Sequence, residues 1–264
     1  MLNIEPNLSM LTSTFLVCPV TSFLGAEISG VDVSDEISPN TLAQLNEALI
    51  HHQLLILRNQ DLTVEQQIAF SAHFGELERF SPHPHYLNYP KIFPVSNHEE
   101  DGYLNVGHYW HHDGSFLGTP TYLSLFYFLK APLKGGDFLF TNMYLAYETL
   151  SDSLKQQVEH LETIHRNGIV HSLVRKHPVT QRKALYINMG LTTGIVGFSH
   201  DESVWLIQDL NRHLNRSEFV YRHKLQIGDL IICDNASVAH FATYADPQYP
   251  QLQRRTTICG TVRF

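Results

Sequence analysis

Apolar residues recur at two spacings along this chain, and the switches between those spacings mark out its elements. Pro39 and Asn40 open a segment in which Leu42, Leu45 and Leu49 stand at helical spacing, and the unbroken run Leu54 to Leu57 follows as a short buried strand. Thr63 with Gln66 three residues on is a capping-box signature, and Ala69, Phe70 and Phe74 carry the helix it opens as far as Gly75. From Pro82 to Gly107 the periodicity fades into His, Pro, Asn and Asp, which predicts a long irregular surface segment of the kind that often carries function. Strand-like runs then dominate: Thr121 to Leu129, Phe138 to Thr141, Ala184 to Asn188, Phe219 to Leu225, Leu230 to Cys233 and Arg255 to Phe264. Helical patterns lie between them, at Ala146 to Leu161 and after Ser199, where Glu202 completes a second capping box.

Strand runs joined by longer connections, without regular strand–helix alternation, predict a mainly β architecture: an antiparallel sandwich or barrel with flanking helices. A doubly wound fold is disfavoured, and neither GxGxxG nor GxxxxGK[ST] is present to cradle a phosphate. No repeat, low-complexity tract or Gly/Ser linker divides the chain, so residues 1–264 read as a single domain.

Composition removes several classes of function. No stretch approaches the roughly 18 to 20 apolar residues of a membrane-spanning helix, since even Leu123 to Leu129 breaks at Lys130 and Pro132. The balance of 18 Lys and Arg against 26 Asp and Glu gives a net charge of −8, which repels a polyphosphate backbone and argues against nucleic acid as a partner. The first basic residue is Arg58, so the apolar stretch Leu11 to Ala26 has no positive region before it, and the expected location is cytoplasmic. Cys18, Cys233 and Cys259 show no CxxC spacing and suggest neither a disulfide framework nor a cysteine-based zinc site. The excess that remains is 17 histidines, which directs attention to histidine chemistry.

On a strand, residues i and i+2 share a face, so H-x-D there sets two metal ligands side by side. His111-His112-Asp113 is the one H-x-D in the chain, against three competing H-x-E triplets. His160 and Glu162 fall in a helical pattern, where they point about 200° apart. Glu202, after His200, is used by a capping box, and His98 and Glu100 belong to the acidic loop His98-Glu99-Glu100-Asp101. His111 and Asp113 instead follow Tyr109-Trp110 in a strand-compatible stretch, where a metal pair and a packed polar pair both remain open. His240 lies beyond the apolar run Leu230 to Cys233 and the turn at Asp234-Asn235. Two histidines and one carboxylate make the facial triad of non-haem Fe(II) oxygenases, although a lone histidine near a turn also serves in packing. Further on, Arg255, Thr257, Cys259, Thr261 and Arg263 share one strand face, with Arg254 pointing oppositely. A guanidinium such as that of Arg255 can grip a dicarboxylate bidentately, or can simply face solvent.

At this point the chain resembles a known family, the iron(II)/2-oxoglutarate dioxygenases of the taurine and phenoxyacetate dioxygenase (TauD/TfdA) group. The likeness runs in order through Leu24 to Asp32, His52 to Arg58, Phe74 to Leu77, Trp110 to Asp113, Gly135-Gly136-Asp137, Ala146 to Leu150, His177-Pro178-Val179, Gly228-Asp229-Leu230, Asp234-Asn235, His240 and Arg254-Arg255. It implies a double-stranded β-helix (jelly roll) in which residues matching His111, Asp113 and His240 hold Fe(II). Arg255 would bind the far carboxylate of the cosubstrate 2-oxoglutarate. The implied reaction activates O2 and hydroxylates an unactivated C–H of a small organic molecule, an amino acid or small acid, releasing succinate and CO2. The same fold also allows desaturation or oxidative decarboxylation in a biosynthetic pathway, or a non-catalytic metal-binding jelly roll, and it allows a homo-oligomer. Three positions depart from the family pattern: Phe138 stands where a hydroxyl usually meets 2-oxoglutarate, and Cys259 and Gly107 stand where the taurine branch has Arg and Asn. Taurine is therefore a poor candidate, and substrate contacts are expected from Tyr109, His108, Asn105 and His85, with His83 and Tyr86 beside them.

Overall fold

A computed structural model describes residues 15–261. The first part of the chain forms strands β1 (Leu16–Pro19) and β2 (Ala26–Ser29), helix α1 (Pro39–His52), β3 (Leu54–Leu57), α2 (Val64–Ala72) and β4 (Phe93–Ser96). The middle forms β5 (Leu123–Lys130), β6 (Phe138–Asn142), α3 (Met143–Glu148), α4 (Asp152–Val158), β7 (Glu162–His165), β8 (Val170–Ser172), β9 (Val174–Lys176), β10 (Lys183–Leu185) and β11 (Thr192–Ile195). The last part forms α5 (His200–Leu214), β12 (Val220–His223), β13 (Leu230–Asp234), β14 (Val238–Ala242) and β15 (Leu252–Ile258). The chain is thus mainly β with flanking helices, and no helix among the described residues is long and apolar enough to cross a membrane.

Seven strands form one sheet in the order β1-β2-β3-β13-β5-β15-β4, antiparallel at every neighbour except β2 and β3. A second sheet of three antiparallel strands runs β12-β6-β14. Two smaller sheets, β11-β7-β8 and β10-β9, stand beside them. Alternate residues of the central strands enter different cores, which explains why Leu54 to Leu57 and Leu230 to Cys233 are apolar throughout. Leu55, Leu57, Leu230 and Ile232 pack with Leu45, Leu49 and Phe70 of α1 and α2, while Leu54, Ile56, Ile231 and Cys233 pack with Phe138, Phe140 and Val238 of the smaller sheet. The second cluster is the interior between the two sheets.

Both capping boxes form: Thr63 exchanges bonds with Gln66 at the start of α2, and Ser199 with Glu202 at the start of α5. Elsewhere the structure corrects the expected elements. The helix expected over Ala146 to Leu161 is two helices, because Ser151 accepts from the Leu154 amide and caps a new start. Consequently His160 and Glu162 are not helical, and Glu162 begins β7, with both side chains exposed. The segment from Pro82 to Gly107 is not irregular throughout. It contains a 3-10 turn at Pro84–Tyr86 and the edge strand β4, where Pro94 is tolerated because its missing N–H costs no ladder bond. The last strand starts earlier than Arg255, at Leu252, and ends at Ile258, while its expected continuation through Val262 and Arg263 lies outside the described residues.

One buried carboxylate ties the two larger sheets together. Asp229, just before β13, accepts from Arg58 Nη1 at 2.8 and 2.9 Å, from the Gln226 amide at 2.9 Å and from His223 Nε2 at 2.9 Å. Arg58 follows β3 and His223 ends β12, so the side chain bridges a sheet corner. Replacing Asp229 by Ala is expected to lower the unfolding free energy by about 3 kcal/mol, the low end for breaking a buried pair, because Arg58 keeps Glu27 at 3.2 Å. Urea denaturation of the variant against the parent protein measures this directly.

Candidate active site

His111 is not part of a strand. It forms an isolated antiparallel bridge with His240 of β14, in which the His111 amide donates to the His240 carbonyl at 3.0 Å and the His240 amide returns the bond at 2.9 Å. Residues directly opposite each other in an antiparallel pair present their side chains on the same face. The two imidazoles accordingly stand with ring centroids 4.1 Å apart. His112 points away, and Asp113, two residues on, returns to the side of His111 just before the chain turns at Gly114. Gly114 makes the turn possible: its φ is +69° and a Cβ there would lie 2.1 Å from Thr121 Oγ1.

His111, Asp113 and His240 each offer a ligand atom, all within 4.8 Å of one another, and all three residues are buried. The His111 Nδ1–H donates to the Tyr109 carbonyl at 2.7 Å, because a carbonyl can only accept, and this leaves Nε2 as the free lone pair. Both ring nitrogens of His240 are buried without a hydrogen-bond partner. Burial holds the pKa of His111 below its ordinary value and that of His240 well below, so both rings are neutral. Burial pushes Asp113 up, but the Arg255 guanidinium beside it and the Ser124 hydroxyl hold the carboxyl below its ordinary range. Two neutral imidazoles and an ionised carboxylate converging on one point fit a divalent cation of the imidazole-and-oxygen class.

Arg255 and Arg254 diverge, as their strand positions require. Arg255 Nη1 donates to Asp113 Oδ1 at 2.5 Å, and its guanidinium lies 4.6 Å from the Phe93 ring centroid. Arg254 reaches the other way, donating to the Leu62 carbonyl at 2.5 Å and lying over Tyr127. Of the expected substrate residues, Asn105 and His108 line a cavity of about 200 Å³ together with Val95, Phe138, Tyr244 and Gln253. His108 is held there by a 2.7 Å bond from Nδ1 to the Ala242 carbonyl and by stacking on Tyr244. Tyr109 sits elsewhere, 5.2 Å from the His111 ring and pressed against Gly190, where any Cβ would lie 2.3 Å from the phenol. His85 is exposed on the 3-10 turn, away from both. Sequence reasoning missed Glu78, whose carboxylate accepts from Thr121 at 2.6 Å and Thr257 at 2.8 Å. Burial raises its pKa, and nothing in its local sequence sets it apart from neighbouring Glu76.

The profile of the taurine catabolism dioxygenase TauD, TfdA family matches residues 16–259. The chain belongs to the TauD/TfdA dioxygenase family. A taurine dioxygenase from Burkholderia xenovorans is 34% identical, with a TM-score of 0.85 over 94% of this chain and 90% of that one. An alpha-ketoglutarate-dependent dioxygenase from Penicillium expansum is 30% identical across 86% of this chain and 72% of its own length. The alpha-ketoglutarate-dependent 2,4-dichlorophenoxyacetate dioxygenase of Cupriavidus pinatubonensis is 27% identical across 92% and 98%. A solved structure of AAD-2 with Mn(II) and N-oxalylglycine is 28% identical, with a TM-score of 0.85 over 95% of this chain and 99% of that one. This TauD/TfdA protein is accordingly an enzyme of the 2-oxoglutarate-dependent dioxygenase class.

Within this TauD/TfdA enzyme, two of the departures noted in the sequence acquire physical reasons. Gly107 has φ +78° and a Cβ there would lie 2.7 Å from His111 Cε1, so the His111 ring occupies the space a side chain would need. Phe138 is buried against Phe126 and Phe128, at centroid distances of 5.6 and 5.3 Å, and offers a ring where a hydroxyl was expected.

Behind His111, Asp113 and His240 lies a second buried histidine group. His112 points away from the triad, stacks on Tyr186 at 4.5 Å and donates from Nδ1 to the Asn235 carbonyl at 2.8 Å. Burial, reinforced by Arg175, lowers its pKa to about 3, and burial with His171 and Arg175 nearby lowers that of His165 to about 4. Unfolded, both rings titrate near 6.5. The unfolded chain therefore binds more protons below that pH, and the stability present above about pH 6.5 is lost as pH falls toward 4. The urea midpoint of the metal-free protein should decline between pH 7 and pH 4.5, and less steeply in His165→Phe. An equally steep decline in that variant would contradict the assignment.

Proposed function

We propose that this enzyme is an Fe(II)- and 2-oxoglutarate-dependent oxygenase that hydroxylates an unactivated C–H of a small organic molecule, an amino acid or small acid, releasing succinate and CO2. The observation that carries the reading is the convergence of buried His111, Asp113 and His240, with Arg255 bonded to Asp113. His111 and His240 would contribute neutral ring nitrogens and Asp113 one carboxylate oxygen, and three ligands on one face leave room for cosubstrate and oxygen. Iron bound there supplies the redox chemistry that oxygen activation requires. The reading takes the two larger sheets as the halves of a double-stranded β-helix, and the whole chain as one catalytic domain.

Several residues of this chain have defined tasks in that reaction. The Tyr109 carbonyl sets the His111 tautomer and its ring orientation. Arg255, stacked on Phe93, is the cation to which the far carboxylate of 2-oxoglutarate would pair, with Asp113 and Phe93 limiting where its guanidinium can go. Phe126 and Phe140 stand 5.2 and 6.4 Å from the His240 ring and keep water from that side of the site. The relative crystallised with Mn(II) and N-oxalylglycine supports the reading, since that dicarboxylate differs from 2-oxoglutarate by an N–H in place of a CH2.

The test is an anaerobic titration of the metal-free protein with Fe(II) and then 2-oxoglutarate, following the visible charge-transfer absorption that Fe(II) gives with a bound 2-oxo acid. The parent protein should develop the band and His111→Ala should not. Arg255→Ala should need about 10- to 100-fold more 2-oxoglutarate, the scale of a lost charge-assisted contact. Absence of the band in the parent protein would refute the proposal. Once a substrate is in hand, a product heavier by one oxygen identifies hydroxylation, and one lighter by two hydrogens would replace it with desaturation.

A further inference from the structure

The carboxylate of Asp113 is held by a chain of hydrogen bonds whose direction can be worked out link by link. Asn235 Oδ1 accepts from the Asp113 backbone amide at 3.1 Å, so the orientation of the Asn235 side chain is set and its Nδ2 can only donate outward. Nδ2 donates to Ser124 Oγ at 2.9 Å. The single hydroxyl proton of Ser124 is thereby directed to Asp113 Oδ2, at 2.6 Å. Ser124 and Asn235 are almost wholly buried, at 0% and 1% exposure, so no water competes for these bonds. Ser124 and Asn235 thus hold Asp113 by its carboxylate Oδ2 and its backbone amide, while Arg255 Nη1 holds Oδ1.

The clamp is anchored in turn. Asn235 follows β13 in the turn that leads into β14 and His240, and Asp234 braces that turn by accepting from the Ala236 amide at 2.9 Å and Ser237 Oγ at 2.6 Å. His177 Nδ1 accepts from the Val179 and Thr180 amides at 3.2 and 3.1 Å, which puts its proton on Nε2, and Nε2 donates to Asp234 at 2.9 Å. Ser124 itself sits on β5 in register with Thr257 of β15 and Cys233 of β13. The Asp113 carboxylate is therefore referenced to the two central strands that flank β5.

We infer that Ser124 and Asn235 are positioning residues that hold Asp113 in the orientation needed to bind the metal, an inference that rests on the metal site proposed above. With Oδ2 bonded to the Ser124 hydroxyl and Oδ1 to Arg255 Nη1, the carboxylate is fixed about its Cβ–Cγ bond and its two oxygens are not equivalent. The hydroxyl thus selects how Asp113 meets the ion. Neither residue touches the ion, so the effect is on affinity and coordination, not on the chemical step alone. Ordering of ligands by such outer partners typically changes metal affinity about 10- to 100-fold.

Mn(II) is a suitable probe, because free Mn(II) is counted from its electron paramagnetic resonance signal and no turnover is needed. Ser124→Ala in the full-length metal-free protein should weaken Mn(II) binding about 10- to 100-fold, with a thermal midpoint near that of the parent. Ser124→Thr and Ser124→Val give a sharper comparison, since they share a shape and differ by a hydroxyl against a methyl. Thr should bind Mn(II) at least about tenfold more tightly than Val, and bound-ion spectra of the Val variant should differ from those of the parent. Equal affinities for Thr and Val, while His111→Ala has lost binding, would overturn the positioning role and leave the metal site standing. Undiminished Mn(II) binding by His111→Ala would overturn the metal site itself, and this inference with it.

Discussion

The reciprocal pair of backbone hydrogen bonds between His111 and His240 is the constraint on which the rest of this site depends. A metal centre built from side chains far apart in the chain needs those side chains brought to one face before any ion arrives. Here the peptide groups of His111 and His240 do that themselves, by a bridge between β14 and a residue outside any strand. Asp113 lies two residues past the bridge on the same side as His111, and the β13–β14 turn that leads to His240 also carries Asn235 against Asp113.

Electrostatics and packing then act in the same direction. Phe126, Phe138 and Phe140 fill the space between the sheets and make it costly to charge either histidine, so the rings keep their lone pairs. The one group that must carry charge, Asp113, is compensated by Arg255 and by the Ser124 hydroxyl. A neutral pair of bases beside a stabilised anion is the distribution that a divalent cation recognises. The same aromatic packing leaves Phe138 on the wall of the cavity shared by Asn105 and His108, so the residue that departs most from the family pattern borders the space closest to the expected substrate contacts.

Much of the fold was legible because its signals are local. The capping boxes at Thr63 and Ser199 each involve groups three residues apart and form as read. The apolar runs of β3 and β13 were recognisable as strands buried on both faces, and the opposed directions of Arg254 and Arg255 followed from strand alternation. Strand β4 and the break between α3 and α4 were not legible. The first is a proline-containing edge held by β15, and the second depends on a serine cap inside an otherwise helical pattern.

The sequence by itself determined the kind of chemistry, since only certain residue types in a certain order resemble the TauD/TfdA pattern, and His111, Asp113, His240 and Arg255 were all named from it. It could not determine how they meet. His111 and Asp113 lie side by side as their spacing suggested and His240 lies beyond the turn after β13 as read, but the direct pairing of His111 with His240 in an isolated bridge had no signal in the sequence. Only the tertiary structure brought Ser124 and Asn235 to Asp113, set Glu78 between Thr121 and Thr257, and separated Tyr109 and His85 from the cavity that Asn105 and His108 line. The reason is physical: propensity and capping act over a few residues, while Asn235 and Arg255, which help hold the buried Asp113, lie more than a hundred residues from it and reach it only when the sheets close.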